Sequence, residues 1–70
     1  MNKVFVVLLE VEGHECKPVS MLSNMVWALS MRLKLQTNFP GFRFTVMQLD
    51  FVDADALCKM CNDNLKSLLK

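Results

Sequence analysis

Glycine is scarce, with only Gly13 and Gly41 in 70 residues. No glycine-rich cradle for phosphate exists, which excludes nucleotide binding by the usual loops. A charge excess is also missing: 8 Lys+Arg stand against 7 Asp+Glu, for a formal net charge of +1. Phosphate-backbone recognition normally needs a clustered cationic surface, so a histone-like or polybasic role is excluded. No apolar run approaches the roughly 18 residues of a membrane-spanning helix. The longest helical candidate, Met21 to Leu35, is interrupted by Ser23, Asn24, Ser30, Arg32 and Lys34. The Val4–Leu9 run is short and followed by Glu10 and Glu12, unlike a signal peptide. Three cysteines, Cys16, Cys58 and Cys61, cannot all pair within one chain and are too few for a secreted disulfide scaffold. The expectation is a reducing cytoplasm.

Apolar residues make up 53% of the chain and mean hydropathy is +0.28, so the chain should collapse into one folded domain spanning 1–70. A domain of this size buries only about 60% of the surface its unfolded chain exposes. Such domains often gain a disulfide, a metal or a partner chain.

Lys3 to Glu12, KVFVVLLEVE, is rich in β-branched and aromatic residues and closes at Gly13, the pattern of a strand with both faces apolar. Gly13 to Pro18 reads as a connection. From Pro18 or Ser20 to Gln36, the spacing of Leu22, Met25, Val26, Leu29 and Leu33 predicts a helix with those residues on its core face. Asn38, Pro40 and Gly41 stop it. Phe42 to Val52 reads as a second strand whose apolar side switches near Val46–Met47, which predicts a bulge or partial cover on both faces. Asp53 is suited to cap a last helix bearing Ala54, Leu57, Cys58, Cys61, Leu65 and Leu68 as its stripe. The expected fold is a small two-layer α+β domain of β-α-β-α order with parallel neighbours, its sheet completed by a homodimer or another partner.

Cys58-Lys59-Met60-Cys61 is a C-x-x-C, and with His14 and Cys16 it has the composition of a Cys3His zinc site. Against that reading, Cys58 and Cys61 sit within a helical leucine stripe, where cysteine behaves as a small buried hydrophobe. A redox role would need the motif at a helix N-terminus, and the zinc deaminase pattern fails because His14 and Glu15 are adjacent. No motif sets a serine or cysteine nucleophile beside His14. The acidic groups at Glu10–Glu15 and Asp50–Asp55 lack the spacing of a calcium loop and read as strand-end and cap charges. Lys17, Arg32, Lys34 and Arg43 form a mild basic stretch, ordinary for a solvated surface.

One helical face carries more information. Ser20, Ser23, Asn24, Trp27, Ser30, Met31 and Lys34 lie opposite the Leu22/Leu29/Leu33 stripe. Trp is enriched at interface hot spots and Met at adaptable contact surfaces. The bland alternative rotates the helix so that Trp27 joins the core. The sequence therefore points to a non-catalytic protein-binding module using Trp27, Met31, Ser23, Ser30 and Lys34, without a cofactor. Small inhibitors and accessory regulators of the kind phages and mobile elements encode have this profile. The alternative is a small zinc domain using His14, Cys16, Cys58 and Cys61.

Overall fold

The computed structural model describes residues 3–50 and 53–69. Its elements run β1 (Lys3–Glu10), β2 (Lys17–Leu22), α1 (Met25–Asn38), β3 (Arg43–Asp50) and α2 (Ala54–Leu69). The α+β class is as expected, but the order is β-β-α-β-α and the sheet is wholly antiparallel, in the order β2-β1-β3. The segment read as a connection and helix start is a strand. Two features of its residues explain this. Gly13, at φ 78, occupies a tight turn closed by the His14 amide donating to the Val11 carbonyl at 3.0 Å, so the chain reverses into a hairpin. Pro18 is tolerated because β2 is an edge strand: its carbonyl accepts from Asn64 Nδ2 on α2 at 2.8 Å, so its missing N–H falls on the outer side.

The expected bulge is also in a different place. β3 pairs with β1 without interruption from Lys3↔Asp50 to Glu10↔Arg43, whereas the β1–β2 register shifts between Val7 and Leu8. That shift leaves Val19 unpaired, and its side chain, 1% exposed, joins the core. The apolar switch along β3 instead reflects the strand's two faces. Phe44 and Val46 lie on the face that α1 covers, while Met47 and Leu49 lie on the other, beside Val4 and Val6. Phe51 and Val52, read as the end of that strand, lie outside the described residues.

α1 lies across all three strands, and among the strands the backbone of α2 closely approaches β2 alone. The core between them gathers Val7, Leu9, Val19, Leu35 and Phe44, with Met31, Phe39, Leu65 and Leu68 packed against it. Burying a side chain such as Phe44 contributes about 1.5–3 kcal/mol. α1 begins at Met25 with Asn24 as its cap, not at Pro18 or Ser20: the Asn24 side-chain oxygen accepts from the Trp27 amide at 2.9 Å. α2 is capped as expected, with Asp53 Oδ1 accepting from the Ala56 amide at 3.2 Å.

The core face of α1 is a correction. The structure buries Ala28 and Leu35 and half-buries Met31 and Arg32, while Met25, Val26, Leu29 and Leu33 are exposed. Apolar residues occur on every side of this helix, so periodicity alone does not select the buried face. Two polar contacts do. Arg32 Nε donates to the Phe44 carbonyl at 3.1 Å, and the Gln36 amide both donates to the Phe42 carbonyl at 2.6 Å and accepts from the Phe44 amide at 3.3 Å.

Asn24→Ala should therefore cost about 1 kcal/mol of stability through loss of the cap. Gly13→Ala should cost about 1–2 kcal/mol because the turn needs a positive φ. Urea denaturation of each variant checks both values. An unchanged midpoint for Asn24→Ala would contradict the cap assignment.

Candidate functional site

The outward face of α1 follows directly from the contacts that fix its inward face. With Ala28, Met31 and Leu35 turned to the sheet, residues half a turn away must face solvent. These are Val26 (74% exposed), Leu33 (64%) and Leu29 (48%), together with Ser30 and Thr37. Trp27, 64% exposed, lies on one flank of that stripe and Met25 on the other. Ser23 and Lys34 are exposed nearby, whereas Met31 is half-buried against the core. Four of the five residues expected on a contact face are thus solvent-exposed, and Met31 is the one that faces inward. The leucines and valine expected in the core take its place beside Trp27. Sequence reasoning missed Val26, Leu29 and Leu33 because leucine at helical spacing usually signals a core stripe.

Electrically this face is nearly neutral. No acidic residue occurs in α1, and its two cations, Arg32 and Lys34, flank the outward stripe on opposite sides. Desolvating such a surface against a partner costs little, since few charges must lose water.

The residues of the proposed zinc site are spread over two elements. His14 and Cys16 are exposed around the hairpin turn, Cys58 is exposed on α2, and Cys61 is buried. Among the described residues no group of three or more His, Cys, Asp or Glu side chains converges. All three cysteines are free thiols. Burial, and secondarily the neighbouring Cys58, pushes the Cys61 thiol up, which disfavours its nucleophilic thiolate.

An open groove of about 610 Å³ lies at the hairpin end of the sheet, lined by Glu10, Val11, Glu12, Cys16, Gly41, Phe42 and Arg43. Its charged pair, Arg43 Nε to Glu10 Oε2 at 3.8 Å, is largely solvated and contributes little. No histidine lines it. Among the described residues no helix is long and apolar enough to cross a membrane. No family model, curated protein or solved structure matches the chain.

The thiols give a direct check on this geometry. At neutral pH a thiol-titrating disulfide reagent should modify Cys16 and Cys58 at least ~10-fold faster than Cys61. The fold favours the protonated Cys61 thiol, so its contribution to stability is fully present below the unfolded thiol value of about 8.5 and falls as pH rises beyond it. Cys61→Ala should flatten that alkaline decline in denaturant midpoints, with Cys58→Ala as the comparison.

Proposed function

We propose that this chain is a non-catalytic binding module that recognises another protein through the outward face of α1 and acts by covering part of that partner's surface. The observation that supports this reading is the set of large apolar side chains, Val26, Trp27, Leu29 and Leu33, left exposed on one helix of a small domain. With Met25 they expose on the order of 500 Å² of apolar surface, toward the upper end of the largest patch a monomer normally shows. A helix presenting anchors at i, i+3 and i+7 is a form that a groove in a partner can accept. Trp27 is the expected anchor, with Ser23, Ser30 and Lys34 as a polar rim. Self-association belongs to the same reading, because a domain of this size gains buried area chiefly through a second chain.

Trp27→Ala and Leu33→Lys should each weaken partner binding by about 2 kcal/mol or more while leaving the far-ultraviolet circular dichroism unchanged. Photo-reactive side chains placed singly at positions 26, 33 and 12 test the face in the producing cell. Positions 26 and 33 should yield the same foreign adduct, absent from position 12 and lost in Leu33→Lys when the label is at 26. An adduct formed equally from all three positions, or from none, overturns the reading.

A further inference from the structure

Packing accounts for one thiol of α2 and not for the other. Cys61 is buried, at 4% exposure, whereas Cys58, three residues earlier, is exposed. Residues three apart on a helix are surface neighbours, with Cβ atoms about 5–6 Å apart. The two thiols therefore share one strip on consecutive turns, and they are near enough to interact, since Cys58 adds to the effect of burial on the Cys61 thiol. Asn62 Nδ2 donates to Cys58 Sγ at 3.9 Å. That donor ties the exposed sulfur to the helix surface and favours its charged form.

The spacing decides which chemistry suits the pair. A disulfide requires Cβ atoms about 3.5–4.5 Å apart, so bonding Cys58 to Cys61 directly would distort this part of α2. An ion between the sulfurs is less demanding: held in line at about 2.3 Å from each, it keeps them about 4.5 Å apart. The number of donors then selects the ion. Zinc in a structural site takes four ligands, and among the described residues no group of three or more His, Cys, Asp or Glu side chains converges. Cys16 lies away from the pair. Asn64 meets the Pro18 carbonyl, and Ser67 and Leu68 share a groove with Lys17, so the start of β2 is set against the C-terminal part of α2, beyond the turns that carry Cys58 and Cys61. Two thiolates without a third ligand are a donor set for a soft monovalent cation, copper(I).

We propose that Cys58 and Cys61 together form a two-coordinate copper(I) site on α2. Binding breaks both S–H bonds, forms two S–Cu bonds and releases two protons to solvent, and the copper stays in the +1 state throughout. Cys58 is the entry ligand, because its sulfur is reached from water, and Cys61 closes the site from the sheltered side. Burial opposes a free thiolate at Cys61, but a sulfur whose proton is exchanged for a bound cation carries no isolated charge. The same burial keeps water and competing ligands from one side of the ion. The site shares no residue with the outward face of α1 and is independent of what that face binds.

Anaerobic titration of the full chain with copper(I) held by a colour-forming chelator tests the site. One copper(I) per chain should pass to the protein, and X-ray absorption of the product should show two sulfur atoms bonded to the metal and no nitrogen or oxygen. Cys58→Ser, at an exposed position, should lower the affinity at least ~100-fold, because the second sulfur no longer binds as an intramolecular partner. Cys16→Ser should leave it unchanged. The double variant Cys58→Ser/Lys59→Cys keeps three thiols but sets two of them about 200° apart around the helix, and it should lose copper as Cys58→Ser does. Far-ultraviolet circular dichroism checks that each variant is folded. Failure of copper to transfer, equal binding by the double variant, or loss of copper in Cys16→Ser overturns the proposal. So does a stoichiometric zinc ion that the chain, given zinc alone, retains through dialysis against a chelator.

Discussion

Arg32 and Gln36 reach from α1 to the backbone of Phe42 and Phe44, and the rotation of that helix about its axis follows from their reach. An apolar helix on an apolar sheet has many nearly equivalent rotations, since burial is non-directional and responds only to area. Hydrogen bonds are directional, and a strand edge under a helix offers amides and carbonyls that cost free energy when unpaired. The rotation that satisfies Phe44 places Ala28, Met31 and Leu35 inward. It also leaves Val26, Leu29 and Leu33 in water, although they would bury more apolar surface than Ala28 does. Polar satisfaction has here outweighed apolar area in choosing the face.

The same contacts close the upper edge of β3 and stop where the side chains end. A glutamine whose amide both donates to Phe42 and accepts at Phe44 imitates a neighbouring strand. Beyond it, among the described residues, no side chain does the same for the edge. On the opposite side, α2 lies along β2, and its own packing through Leu65 and Leu68 joins the core that α1 covers. One helix is therefore assigned to a face and the other largely to an edge. That division is why, among the described residues, two helices and three strands still leave part of a strand edge and an apolar helix face without cover.

Much of this fold was legible from the residues. The β-branched density of Lys3–Glu10, the alternation beginning at Phe42 and the Asp53 cap each encode a local geometry that the packed domain keeps. β2 was not legible, because Pro18 suits a helix start as well as an edge strand and only the arrival of α2 at its carbonyl decides between them. The rotation of α1 was not legible for a related reason. Its determinants, Arg32 and Gln36, look like ordinary exposed polar residues until the strand edge they serve is in place. Of the candidate face, Trp27 was legible as an interruption of an otherwise small and polar helix face, with Ser23, Ser30 and Lys34 as its rim, and Met31, read beside it, turns to the core. Leu29 and Leu33 were hidden, being read as the core stripe.

Isolated apolar side chains on a surface need no explanation, since much of any protein's accessible surface is apolar. What separates α1 from that background is contiguity and spacing. Val26, Leu29 and Leu33 occupy one stripe, with Trp27 and Met25 beside it, and no charged residue of α1 lies on it. In the free chain this stripe gives the folded state little that the unfolded state lacks, because its side chains are substantially hydrated in both. Its free energy is realised only when something removes it from water, and at about 25 cal/mol per Å² a surface of this size is worth on the order of 10 kcal/mol before the costs of association. Trp27 lies on one flank of the stripe and Met25 on the other, so that free energy is spread around the outward half of the helix. A chain with this surface covered would bury a larger share of its apolar area than the small domain can alone.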